Sequence, residues 1–294
     1  MTQIYRHSGK FAPVGIVAGI VTGVVAGLPL AYLYAWGIIK INEQHMAFMA
    51  TMAYGAAVGA AVSMVLKWGK VRNSIVGGAA AVLPAAVSIY WSWAFWVKNI
   101  VLIFENQEID AFSLMSHPQM LWSAIKLINQ DGTWGSTSTN MTKGVELWLI
   151  WGGEALLMLG IAASVAYAIL EAQPFCEKCQ LWCTSNEKLR LSPGNPSLIR
   201  QSLFKRDLTF LEKLGPGGNK TSYITAQLHS CRNCGELNTL TLTQTEIVKA
   251  TKWYQRNGIR RNDLVKKLLL SRAEADAFRN TAHNVKQLSK AAKA

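Results

Sequence analysis

The sequence predicts a multi-pass α-helical membrane bundle of four transmembrane helices followed by a small basic α+β domain. Three observations predict it. Four runs, 13–39, 46–66, 75–97 and 147–170, are each long enough to cross a ~30 Å hydrocarbon core, and together they hold one charged side chain, Glu154. Charge is unevenly divided: residues 1–170 carry 9 Lys/Arg against 7 Asp/Glu, whereas 171–294 carry 21 against 10, so the net +13 resides almost wholly in the second part. All five cysteines, Cys176, Cys179, Cys183, Cys231 and Cys234, fall there too. The change of character between Leu170 and Cys179 sets expected domains at 1–170 and 171–294.

The first run follows a short basic segment and is too long for a signal-peptide core, so it reads as a retained membrane helix. Gly15, Gly19, Gly23 and Gly27 recur every fourth residue along it and place four side-chain-free positions on one helix face. Such a face serves an oligomer seam, a pore-lining zipper or close packing on another helix of the same chain. Tyr32, Tyr34 and Trp36 at its far end suit an interfacial depth. The second run carries Gly55 and Gly59 in a G-x-x-x-G spacing, and Lys67, Lys70 and Arg72 follow it in a turn around Gly69. The third has Pro84 mid-span, an expected kink, and ends in Tyr90, Trp91, Trp93 and Trp96. Trp148 and Trp151 open the fourth at the matching depth.

The basic residues of the N-terminus, of the 67–72 turn and of the whole second part give a consistent orientation. By the positive-inside rule both termini are expected in the cytoplasm, in a plasma (inner) membrane, with residues 105–146 as a long outward loop. Within that loop Ser116-His117-Pro118-Gln119 has capping-box spacing with Pro in the first turn. An amphipathic helix follows, with Met120, Leu121, Ala124, Ile125, Leu127 and Ile128 on one face and Ser123, Lys126 and Asn129 opposite. It is expected on the outer membrane surface or capping the bundle. Residues 131–142 read as a polar loop containing the Asn140 sequon. Glu154 is a candidate intramembrane ion or proton site, because a carboxylate in the hydrocarbon is costly; the alternatives are a protonated acid bonded to a neighbour or one reaching the interface.

In the second part Cys176-Glu177-Lys178-Cys179 and Cys231-Arg232-Asn233-Cys234 are two C-x-x-C pairs. Two residues between thiolates let a tight turn aim both sulfurs at one ion, and four thiolates fill a tetrahedral site. Gly235 after the second pair suits a turn with positive φ. An odd cysteine count with this spacing suits a reducing compartment better than a disulfide framework. The rivals are a redox dithiol or two unlinked turns; haem attachment is disfavoured because Gln180 and Gly235 stand where a histidine would follow. Cys183 is a small buried residue, a reactive thiol or a substitute ligand, and His229 is a second possible substitute.

Strand-like alternation surrounds the second pair. Ile224, Ala226 and Leu228 alternate with Tyr223, Thr225 and Gln227, and Leu240 and Leu242 alternate with threonines, giving a hairpin with the cysteines at its tip. Asn257-Gly258 is a second hairpin signal. Asn195-Pro196 opens a helix expected to run to Leu214, Ser271-Arg272-Ala273-Glu274 is a capping box opening a final helix toward His283, and Lys286–Ala294 is expected to fray.

The two pairs and their hairpin resemble a zinc ribbon at motif level. The resemblance implies a structural Zn2+ held by Cys176, Cys179, Cys231 and Cys234, closed to substrate. It departs from the simple pattern in spacing: 51 residues separate the pairs, against the usual ~15–20, so a subdomain must be inserted between them. The membrane part resembles no family.

The expected activity is that of a membrane-anchored zinc-binding adaptor, scaffold or sensor for a protein partner, with homo-oligomerisation through the Gly15–Gly27 face. A transport or channel component using Glu154 is the alternative, and a membrane-tethered nucleic-acid binder the next. Basic pairs such as Arg260-Arg261 and Lys266-Lys267 are scattered, and Trp253 and Tyr254 stand alone, so anionic lipid headgroups account for the charge better than nucleic acid. With no phosphate loop, nucleophile elbow or paired carboxylates, an enzyme is not expected.

Overall fold

The computed structural model describes residues 3–41, 43–105, 108–133, 141–217, 221–248 and 258–291. The chain divides into two compact units, one of residues 8–172 and one of residues 1–7 with 173–294. The sequence boundary at 170/171 placed the first seven residues with the helices, whereas they group with the second unit.

The helical unit has four helices long and apolar enough to cross a membrane. They are α1 (Pro13–Ile38), α2 (Gln44–Trp68), α3 (Ser74–Glu105) and, after two shorter helices, α6 (Val145–Ala172). Helix α3 outruns its expected end by eight residues, because Lys98 is followed by the apolar stretch Ile100–Phe104. At ~1.5 Å per residue its 32 residues exceed a ~30 Å hydrocarbon thickness. Helix α1 packs on α2 and α3, and α6 packs on the same two. The stripe Gly15, Gly19, Gly23, Gly27, Ala31 and Ala35 is the buried side of α1. A Cβ at Gly15 would lie 3.0 Å from the Gly69 carbonyl oxygen, and one at Gly27 would lie 2.9 Å from Ser88 Oγ. The glycine face is therefore filled by α3 and the end of α2 within the same chain. Gly55 and Gly59 of α2 do the same against Met158 and Ala162 of α6. Hydrogen bonds tie three helices across this seam: Tyr54 Oη donates to the Ser88 carbonyl at 2.8 Å, and Ser88 Oγ donates to the Gly27 carbonyl at 3.1 Å.

Between α3 and α6 lie α4 (Ala111–Ser116) and α5 (Pro118–Asp131). The amphipathic helix is where the sequence put it, but its cap is not. Ser116 Oγ bonds back to the Phe112 carbonyl at 2.6 Å, and His117 is an N-cap that makes no side-chain cap bond. Helix α4 was missed; Asp110 caps it by accepting from the Ser113 N–H at 2.9 Å. On α5 the buried residues are Leu121, Ile125 and Asn129, while Met120 and Leu127 are exposed. Asn129 belongs to the covered face because its side-chain amide donates to the Gly144 carbonyl at 3.0 Å. Leu121 and Ile125 pack with Ala94, Val97, Leu147 and Trp151, so α5 caps the helices. Asn140 lies outside the described residues.

The second unit holds an antiparallel sheet of order β3-β4-β5-β6, from β3 (Thr184–Leu191), β4 (Ser222–Ser230), β5 (Asn238–Val248) and β6 (Gly258–Leu270). A two-stranded ribbon, β1 (Phe175–Cys176) with β2 (Leu181–Trp182), precedes it. The expected hairpin around the second cysteine pair is β4–β5, with Leu228 opposite Leu240 and Ala226 opposite Leu242. Strand β6 opens at Gly258; Asn257, Trp253 and Tyr254 lie outside the described residues. One face of the sheet, led by Leu189, Ile224, Leu228, Leu240 and Leu268, meets Phe278 and Ala282 of α9 (Arg272–Ala291). Helix α9 opens at the predicted capping box, with the Ser271 N–H donating to Glu274 at 2.7 Å, and runs to Ala291 rather than fraying from Lys286.

The insertion between β3 and β4 is two helices, α7 (Pro196–Phe204) and α8 (Phe210–Leu214), not one. Asn195 caps α7 by accepting from the Ser197 N–H at 3.0 Å, and the break falls where Arg206 adopts φ +57° and Asp207 caps the Thr209 N–H. Residues 3–5 add a short pairing along β6: the Leu269 N–H donates to the Gln3 carbonyl and the Tyr5 N–H to the Lys267 carbonyl, both at 2.9 Å.

Candidate metal centre

Two turns bring four sulfurs together. Cys176 ends β1 and Cys179 lies in the turn before β2; Cys231 and Cys234 lie in the turn joining β4 to β5. Each turn closes on a residue with positive φ, Gln180 at +55° and Gly235 at +62°. The Gly235 N–H donates to the Cys231 carbonyl at 3.1 Å, so the glycine does what its place after the second pair suggested. Cross-links hold the arrangement. Lys178 pairs with Glu236 at 2.7 Å from one turn to the other, and Arg232 Nε donates to Thr184 Oγ1 at 2.9 Å.

The four Sγ atoms lie within 4.8 Å of one another, and Cys176 Sγ is 3.7 Å from Cys234 Sγ. A tetrahedral ion with ~2.3 Å metal–sulfur bonds has sulfur–sulfur edges of about 3.8 Å, so the set is close to the size that such an ion requires. Cys176 and Cys231 are buried, whereas Cys179 and Cys234 are partly open. Burial, first, pushes the Cys176 and Cys179 thiols up, Cys179 to about 12. Cys234 goes the other way, to about 6, because the Glu236 N–H donates to its sulfur and the neighbouring thiols add to that. Thiols pushed up by burial must give up their protons when a cation binds.

Cys183 is not in the group. It is buried behind Cys176 and Cys231, its N–H donates to the Pro174 carbonyl at 2.8 Å, and burial raises its thiol to about 12. His229 is not brought in either: it lies in β4 opposite Thr239, with its imidazole held below its ordinary value by burial and then by Lys267. Tyr5 was missed. Its hydroxyl accepts from the Phe175 N–H at 2.9 Å and donates to the Phe175 carbonyl at 3.1 Å, so it fixes the residue before Cys176. No local pattern signals a contact across 170 positions.

Glu154 stands on α6 in the other unit, where its buried Oε1 has no hydrogen-bond partner among the described residues. No family model, curated protein or solved structure matches the chain. The zinc-ribbon resemblance thus stays one of spacing, and the four-cysteine geometry stands alone.

Proposed function

We propose that the chain is a membrane-anchored zinc protein whose second unit recruits or senses a protein partner at the cytoplasmic face. The observation that carries this reading is the closed set of four thiols in a small α/β unit. A tetrahedral four-thiolate set suits zinc, with iron as its rival, and a full ligand set leaves no position for a reacting water, which fits an ion of structure rather than catalysis. Such an ion contributes roughly 10–16 kcal/mol to the folding of zinc-finger peptides, so its loss should loosen the two turns that it would join.

The orientation is supported by the charge pattern and by connectivity. Residues 3–5 pair with 267–269 inside one unit, so the segments before α1 and after α6 belong on one side of the bilayer, and four crossings satisfy that. The basic excess of 171–294 suits anionic headgroups, at about 1 kcal/mol for each Lys or Arg near the surface.

The test is metal per chain on protein purified under reducing conditions, beside crosslinked partners from intact membranes. We expect near one zinc in the wild type, and loss of both zinc and a discrete crosslinked species in Cys231→Ser. A folded wild type without metal removes the reading, as does an unchanged crosslinking pattern in the metal-free variant.

A further inference from the structure

A cavity of about 1470 Å3 opens within the helical unit, bounded by α1, α2, α3, α5 and α6. That exceeds the ~300–1,000 Å3 of ordinary small-molecule sites and is far more than a proton or a bare ion needs. Its charged lining is of one sign: Glu43, Asp131 and Glu154 contribute, with His45, and no lysine or arginine lines it among the described residues. In a chain of net charge +13 this is a local reversal. Lys40, close by in sequence to the lining residues, is held over the Trp36 ring at 3.5 Å instead.

Three tryptophans form one wall. Trp93 meets Trp151 edge to face at 4.9 Å between centroids and Trp96 at 5.3 Å, and all three line the cavity. Glu154 follows Trp151 by three residues on α6, so the carboxylate shares a helix face with that indole, while Trp93 and Trp96 reach the same cavity from α3. An indole face attracts a cation through its quadrupole, and the attraction grows when water is excluded. The carboxylate oxygen Oε1 is buried and has no partner among the described residues, and a buried charge needs a counter-charge or a proton.

The chemistry separates classes of cation. Apart from the four cysteines, no three acid or histidine side chains converge among the described residues, so an inorganic metal ion lacks ligands here. Apolar walls such as Ile89, Ile100 and Met158 suit a carbon body. We propose that this cavity binds an organic monocation, a quaternary ammonium or protonated amine with an apolar body, its head between the Glu154 carboxylate and the Trp93/Trp96/Trp151 wall. The site is independent of the metal centre and of the reading built on it.

The test uses the full chain in lipid nanodiscs, with benzyltrimethylammonium as probe and benzenesulfonate as an anion of similar size, read by calorimetry and tryptophan fluorescence against empty discs. Saturable binding of the cation alone is expected, weakened about tenfold or more by Glu154→Gln. That variant should elute and melt as the wild type does, which shows that the helical unit is intact. Should Glu154→Gln fail to fold, Glu43→Gln with Asp131→Asn changes exposed side chains only, and lowers affinity several-fold with a weaker salt dependence. The inference is overturned if wild-type discs bind no more probe than empty ones, if the anion binds equally, or if an intact Glu154→Gln protein binds like wild type.

Discussion

Cys179 gives its sulfur to the four-thiol group, whereas Cys183, four residues on, is buried outside it. Replacing each by serine separates ligation from packing. Cys179→Ser should bring metal content close to zero with collapse of the unit's thermal transition. Cys183→Ser should keep the metal and lose about 1–3 kcal/mol, the cost of a buried hydroxyl without a partner. Because Cys176 and Cys179 hold their protons above the ordinary thiol value, metal entry must release them. Affinity should therefore rise with pH and fall on acidification, with proton release detectable as buffer-dependent binding heats. A further effect belongs to Tyr5, whose hydroxyl brackets Phe175. Tyr5→Phe should weaken metal about tenfold in chelator competition, as removal of a group that orients a ligand does.

At the scale of elements, close approach is the main theme in the helices. A Cβ on Gly59 of α2 would collide with the Ala162 backbone, whereas Gly160 of α6 faces open space. Gly59→Leu should lower the melting temperature of the purified protein, at about 1–3 kcal/mol or more, while Gly160→Ala leaves it unchanged. In α9 the Ser271/Glu274 box is reinforced by Arg206, whose guanidinium lies 2.9 Å from the carboxylate. Burial opposes ionisation of Glu274, but the Ser271 N–H and Arg206 outweigh it and hold the carboxyl below its ordinary 4.5. The resulting stability is complete above 4.5 and is lost as pH falls through the depressed value. Glu274→Gln should flatten that acid limb in a pH series of melting temperatures. The box was legible because its partners sit three residues apart, as were the apolar spans and the β4–β5 alternation. The Ser116 box was not realised, because a serine ending α4 finds the Phe112 carbonyl before it can reach forward. The two-residue strands β1 and β2 carry no period to read, and the break between α7 and α8 rests on the φ +57° of Arg206, a conformation its residue type does not announce.

At the scale of the whole molecule, the two units rest on different physics. The helical unit needs small residues where backbones meet and an apolar exterior for lipid. The second rests on a one-sided sheet packed against the α9 face, with four cysteines gathered at one end of its β4–β5 hairpin. The four long apolar helices, the charge asymmetry and the gathering of four cysteines could be read from composition and spacing. The cavity that joins Glu154 to three tryptophans could not, because its walls come from five helices and only their packing brings them together. The pairing of residues 3–5 with β6 was equally hidden, and it adds a strand's worth of order to the edge of the sheet. Tyr5→Pro removes the N–H that bonds to Lys267 and should cost about 0.5–1.5 kcal/mol for that bond alone, read as faster amide exchange along β6.

That pairing also makes the outer edge of the sheet depend on a segment from the far side of the helical unit in sequence. Residues 3–5 precede the four long apolar helices in the sequence and β6 follows them, so the edge closes only when two segments about 260 positions apart meet. A chain in which residues 3–5 do not reach β6 leaves that edge unpaired. Its outer strand then keeps an open row of amides and carbonyls, the kind of edge that aggregates or draws proteolysis. A closed edge would thus mark chains in which the two segments have met, and an open one those in which they have not.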